Sequence, residues 1–259
     1  MGKALLEGWT ARGIAPVWVV EPAPSPELKS FVRRHGIVLR CRIDETVEMR
    51  PRACVVALKP QILRSEAIHL RPIAESGALM ISIAAGISIA ALRNGWGRRA
   101  QIVRAMPNMP GAIGKGISAL YAPRGTDRGS RLRTQRLLAG LGETLWVNRE
   151  EFIDVATAVS GSGPAYVFLF AECLARAAQM EGLPVKIAER LARSTIEGAG
   201  ALLLANRRDP AALRGDVASP GGTTEAGLSV LMYRNALPRL VAEAVAAARG
   251  RALELRRNR

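Results

Sequence analysis

Along residues 1–148, short runs of aliphatic and β-branched residues alternate with stretches in which apolar positions recur every three to four residues. That rhythm predicts βαβ units around a parallel sheet. The expected strands are 17–20, 37–39, 53–58, 79–83, 102–106 and 117–121; the expected amphipathic helices are 3–11, 27–35, 62–73 and 87–92. Strand, turn and helix thus repeat about every 20 to 25 residues, the spacing of a doubly wound fold. Such a fold normally opens on a strand, yet Met1, Gly2 and Lys3 lead straight into a helix, so the sheet is expected to lack its first strand.

After Glu150 the strand-like runs stop, and helical spacing takes over at 152–180, 185–204, 210–214 and 224–249. The chain is therefore expected to divide into an α/β domain, residues 1–149, and an all-helical domain, residues 150–259. Stretch 165–178 is apolar on nearly every side. A helix of that kind has to be buried, and a partner subunit is the expected cover.

Composition narrows the classes. A chain of 259 residues with 49% apolar and 23% charged residues is that of a folded protein with enough material for two domains, and the 4% of aromatics leaves the core to aliphatic side chains. The 37 Lys and Arg against 22 Asp and Glu give +15, which raises the question of a polyanionic partner. The basic residues are spread through every segment, however, and the densest group, Arg256, Arg257 and Arg259, has no interleaved aromatics. A solvated basic surface is expected, with no nucleic acid as partner. Cys41, Cys54 and Cys173 are odd in number and form no C-x-x-C pair, so no disulfide framework and no metal site is expected, and a reducing, cytoplasmic compartment fits. The uncharged runs 76–92 and 155–171 fall just under the roughly 18 to 20 residues needed to cross a bilayer. Glu7 interrupts any leader in the first ten residues, and no membrane partner is expected.

Seven segments carry candidate chemistry. The opening Met1-Gly2-Lys3-Ala4-Leu5, with Gly8 further on, reads as a G-x-G-x-x-G turn cut after its fourth position, with only the third glycine present. The intact motif brings a pyrophosphate against free N–H groups at a helix start; an ordinary helix start remains the alternative. Glu21 stands where the next strand ends, placed to accept the hydroxyls of an adenosine ribose or simply to turn the chain before Pro22. Ala57-Leu58-Lys59-Pro60 and Ala84-Ala85-Gly86 put small or constrained residues at the carboxyl ends of parallel strands, and a Lys59 buried there would need an anion. Asn108, clamped between Pro107 and Pro110, can offer both a carbonyl and an NH2 to a carboxamide. Ser160-Gly161-Ser162-Gly163-Pro164-Ala165 weakens what would otherwise be one long helix, which suits either close backbone approach or a kink. Finally, Ser219-Pro220-Gly221-Gly222-Thr223-Thr224 precedes a helix. Successive N–H groups there make a concave anion site, although Thr223 or Thr224 as an N-cap would explain the threonines alone.

Taken in order and spacing, these segments resemble pyrroline-5-carboxylate reductase over essentially the whole chain. The resemblance implies a Rossmann-like domain joined to a helical domain that interlocks with a second subunit in a homodimer or larger homo-oligomer. It implies NADH- or NADPH-dependent reduction of the small cyclic imine L-1-pyrroline-5-carboxylate to L-proline. Carried over by residue, it implies that Ser219, Gly221, Gly222, Thr223 and Thr224 hold the substrate, with the Thr224 hydroxyl on the ring nitrogen as the catalytic contact. Glu150 would touch the substrate region, and Gly2, Glu21, Ala57, Lys59, Ala85, Gly86 and Asn108 would line the cofactor. Met109 departs from the family, where threonine is common. The missing strand and glycines lead to the expectation that the natural protein begins roughly a dozen residues earlier. A hydroxyacid dehydrogenase of similar architecture would need a lysine on the long interdomain helix, and 152–180 has none. The alternative is a truncated paralogue that dimerises without binding a cofactor.

Overall fold

The computed structural model describes residues 1–206 and 208–257. Its compact units are residues 1–162 with 248–257, and residues 163–247; Arg259 of the basic tail lies outside the described residues.

The first unit runs α1 (Gly2–Ala11), β1 (Trp18–Val20), α2 (Pro26–Arg34), β2 (Val38–Arg40), β3 (Ala53–Val56), α3 (Pro60–Glu66), α4 (Arg71–Glu75), β4 (Leu79–Ser82), α5 (Ile89–Trp96), β5 (Gln101–Met106), β6 (Gly116–Tyr121), α6 (Arg128–Leu138), β7 (Gly142–Trp146) and α7 (Glu151–Ala156). All six expected strands form. Strand β7 and helix α6 were not anticipated: β7 alternates half-buried and exposed positions without a β-branched run, and α6 is basic along much of its length. The sheet is mostly parallel rather than wholly so, because β5 and β6 pair antiparallel.

The strands lie in two sheets, β1-β2 and β3-β4-β5-β6-β7. In the doubly wound order the opening strand stands between the strands that are here β1 and β3. The break between the two sheets falls at that position. The larger sheet is covered on both faces, which is why all four residues of β4 are buried. Its alternation sorts them: Met80 joins Leu63, Ile73, Leu92 and Trp96 on one face, whereas Leu79 and Ile81 join Leu5, Val103, Leu120 and Leu138 on the other. Ser25, Ser88 and Asp127 cap α2, α5 and α6 through their side chains.

The second unit holds α8 (Gly163–Met180), α9 (Val185–Ala205), α10 (Pro210–Asp216), α11 (Thr223–Met232) and most of α12 (Ala236–Arg257). The single helix expected over 224–249 is two helices, because Arg234 and Asn235 take positive φ values of 48° and 59° and break it. Helices α8 and α9 pack through small residues, Ala175, Ala188 and Ala192. Most of α8 is uncovered, with Phe168 and Leu169 exposed at 57% and 58%. Residues 151–180 form a run long and apolar enough to cross a membrane by length and composition, with 11% of its most apolar window buried. The second unit begins after Ser162, beyond the expected 149/150 division, because α7 packs on β5 and β6 and buries Ile153 and Asp154 there.

Gly8 sets how closely α1 approaches the turn before β7. A Cβ at Gly8 would lie 2.9 Å from the Gly140 Cα and 3.1 Å from its carbonyl carbon, both backbone atoms. Gly8→Ala is expected to destabilise the fold by about 1–3 kcal/mol despite the better helix propensity of alanine, read as a lower urea midpoint at unchanged slope.

Candidate active site

The carboxyl ends of β1, β3, β4 and β5 carry most of the residues expected at a cofactor edge. Helix α1 starts with Met1 as its N-cap, without a side-chain cap and without an acid in its first turn, so its first N–H groups are unclaimed among the described residues. A Cβ at Gly2 would stand 3.4 Å from the Ala57 Cβ, which places the helix start directly beside the end of β3. This suits a pyrophosphate, and the small Ala57 and Ala85 leave room for the rest of a dinucleotide. Glu21 follows β1; its N–H bonds the Arg40 carbonyl at 3.0 Å and its Oε1 accepts from Ala23 N at 3.1 Å.

Two expectations are corrected here. Lys59 is exposed, as N-cap of α3, so burial does not oblige it to find an anion. The carbonyl of Asn108 is already committed, accepting from Ile117 N at 2.9 Å, which leaves its NH2 as the group able to face a ligand. Gly86 is buried at φ +66°, and a Cβ there would come within 2.9 Å of the Leu255 Cβ. The end of α12 therefore rests on the turn after β4. Arg64 of α3 also donates to the Leu255 carbonyl.

Sequence reasoning missed a buried charge network. Arg104 on β5 is 1% exposed and donates from Nη1 to Glu150 Oε1 at 2.8 Å. Its Nη2 lies 3.7 Å from Asp154 Oδ1, and Arg256 Nη1 reaches Asp154 Oδ2 at 2.8 Å. Burial pushes the Asp154 carboxyl above its ordinary range, against the pull of Arg104 and then Arg256. Glu150, expected at the substrate, has Oε1 engaged by Arg104 and by Ile89 N at 2.7 Å. The available signal was an arginine in the middle of an otherwise apolar strand, which demands an acid. Burial also holds the Cys54 thiol protonated, with its pKa pushed up to about 12.

The weakened stretch around Ser160 stays helical but changes its hydrogen-bond period. Thr157–Gly161 is a π-helical turn, closed by Ser162 N on the Thr157 carbonyl at 2.8 Å. The group that approaches Gly161 is the Met106 methyl, 2.9 Å from where a Cβ would stand.

In the second unit, Gly221 takes φ +71° and Gly222 is the N-cap of α11, its N–H bonding the Ser219 carbonyl at 3.0 Å. A Cβ on Gly222 would meet Ser219 Oγ at 2.6 Å, so the doubled glycine is required by the turn itself. Thr223 and Thr224 are exposed in the first helical turn and cap nothing, which leaves their hydroxyls for a ligand. Glu225 reaches back to Gly221 N at 2.6 Å, so the chain's own carboxylate already sits on this loop. Its place three residues after the N-cap is a capping-box spacing, but the N–H it takes is that of Gly221 and not of the N-cap Gly222.

Residues 150–255 match the family described as pyrroline-5-carboxylate reductase dimerisation. The pyrroline-5-carboxylate reductase of Pseudomonas aeruginosa is 33% identical over 255 residues, which cover 98% of this chain and 93% of that protein. The solved structure of a pyrroline-5-carboxylate reductase from Coxiella burnetii superposes with a TM-score of 0.90 at 32% identity, covering 98% of this chain and 94% of that one. That of the Plasmodium falciparum pyrroline carboxylate reductase with NADP bound gives 0.82 at 27% identity, covering 99% and 94%.

Asn108→Ala would leave Ile117 N–H without its partner, at an expected cost of about 1–3 kcal/mol, while Asn108→Asp keeps an acceptor and is expected to lose less. Thermal or urea unfolding of the two variants measures the difference.

Proposed function

Because the chain belongs to the pyrroline-5-carboxylate reductase family, we infer that it reduces L-1-pyrroline-5-carboxylate to L-proline, the last step of proline synthesis, with NAD(P)H as hydride donor. The observation that carries this reading is the glycine turn 219–222, which opens α11 without a side-chain cap and with two exposed threonine hydroxyls that have no partner among the described residues. The helical part assembles with a second copy, in keeping with the exposed apolar run of α8.

By this reading residues 1–149 hold the dinucleotide, and residues 150–259 hold the substrate and the subunit contacts. The N–H groups opening α1 and Gly2 receive the pyrophosphate, Glu21 the adenosine ribose, and Ala57, Lys59, Ala85, Gly86 and the Asn108 NH2 line the remaining edge. The backbone of Ser219, Gly221, Gly222 and Thr223 receives the substrate carboxylate, which competes with Glu225 for the Gly221 N–H. The Thr224 hydroxyl follows the ring nitrogen from imine to amine. NAD(P)H supplies the hydride; the chain's part is to orient a protonated, electron-poor C=N bond toward it, and no strong base is needed. A cytoplasmic setting completes the reading.

Thr224→Ala is expected to lower kcat/KM for pyrroline-5-carboxylate by roughly ten- to a hundredfold, the size of a lost hydrogen bond made at the reacting atoms. Unchanged turnover would remove the assigned role. Glu21→Ala should raise the KM for NADH more than that for NADPH, because a carboxylate there favours ribose hydroxyls over a 2′-phosphate. Parallel steady-state assays with the two nucleotides give the comparison. Absence of both binding and turnover in the unaltered chain would instead favour a dimer-forming paralogue without catalysis.

A further inference from the structure

We propose that Glu150 is a positioning residue for the cofactor turn 84–88, acting through the first turn of α5, and is not a contact to the substrate. The proposal rests on the dinucleotide reading given above. Helix α5 leaves its first N–H groups without intrahelical partners, as any helix does. Ser88 satisfies one of them, its Oγ accepting from Ala91 N at 3.2 Å. Glu150, 61 residues further along the chain, satisfies another through Ile89 N at 2.7 Å.

The same oxygen accepts from Arg104 Nη1 at 2.8 Å, and the two side chains are 1% and 21% exposed. Arg104 is rooted in the middle of the larger sheet and cannot withdraw to solvent, so it fixes the carboxylate in place. A carboxylate engaged by two donors and mostly removed from water is poorly placed to greet a cationic imine. It is well placed to hold a helix start. That start follows Ala84, Ala85 and Gly86, and the turn is restrained from two further directions. Ala84 N donates to Ser82 Oγ at 3.3 Å, and Gly86 packs against Leu255. Of the acids in the network, Glu150 alone bonds to the start of α5, next to that turn; Asp154 pairs with Arg104 and Arg256.

The test is equilibrium binding of NADPH and NADH, followed by nucleotide fluorescence, together with separate KM values for nucleotide and for pyrroline-5-carboxylate. The proteins are the full chain and its Glu150→Ala, Glu150→Gln and Ser88→Ala variants. Glu150→Ala is expected to weaken nucleotide binding roughly three- to tenfold, the scale of a lost helix-terminus partner, with the KM for pyrroline-5-carboxylate within about twofold of the parent. Glu150→Gln keeps an acceptor for both donors and should restore most of the affinity. Ser88→Ala, which loosens the same turn from its other cap, should shift nucleotide binding in the same direction, and it carries the test with Glu150→Gln if the alanine variant fails to fold. A rise in the KM for pyrroline-5-carboxylate at unchanged nucleotide affinity would overturn the proposal, as would nucleotide affinity unchanged in every folded variant. In either case normal turnover by the parent chain would leave the functional reading standing. A parent chain that binds neither nucleotide and turns over no substrate would overturn the reading itself, and the proposal with it.

Discussion

An arginine sealed inside a β-sheet dictates much of what surrounds it. Arg104 sits on β5 between Val103 and Ala105, all three out of contact with water. A guanidinium in that position is untenable without anions close by, and removing one partner of such a set typically costs about 3–5 kcal/mol. Glu150 and Asp154, on the chain leading into and through α7, supply those anions, and Arg256 from the end of α12 balances the second acid. One buried cation thereby fixes the start of α7, the last turns of α12 and the first turn of α5 against the same sheet. The 162/163 division between compact units follows from this, since α7 is bound to the sheet by charge as well as by Ile153.

The cofactor edge depends on the same frame. Its residues come from separate strands and converge only because their carboxyl ends line up along one border of the parallel pairs. The division between β1-β2 and β3-β7 falls across that border. Glu21 belongs to the small sheet, whereas Ala57, Ala85 and Asn108 belong to the large one. On the proposed reading the ribose and the rest of the cofactor would therefore be held from different sheets, and α1, which leads into β1, packs its Leu5 into the core of the larger one.

The βαβ texture was legible because each core strand is a short aliphatic run and each covering helix keeps a 3.6-residue stripe. Strand β7 escaped because Gly142-Glu143-Thr144-Leu145-Trp146 has one face in solvent and no run of branched residues. The break at Arg234 and Asn235 was hidden because neither residue announces a left-handed turn as glycine would. At the site, the glycine turns were visible as composition, since Gly86 and Gly221 occupy conformations that disfavour other residues. What a carboxylate or amide actually bonds to was not visible. The partners of Asn108, Glu150 and Glu225 depend on which backbone N–H lies opposite after folding, and a period or a motif does not encode that. The family resemblance suggested a substrate contact for Glu150 and says nothing of the two donors that occupy it.

The uncovered flank of α8 bears on how this protein exists in solution. Val167, Phe168, Leu169 and Phe170 form four consecutive positions, each exposed by 41% or more, with Leu191 and Leu202 to Leu204 uncovered on α9. Covering aliphatic and aromatic surface of this extent by association stabilises the helical half through mass action. Dilution then acts as a denaturant, and the melting temperature becomes a function of how much protein is present.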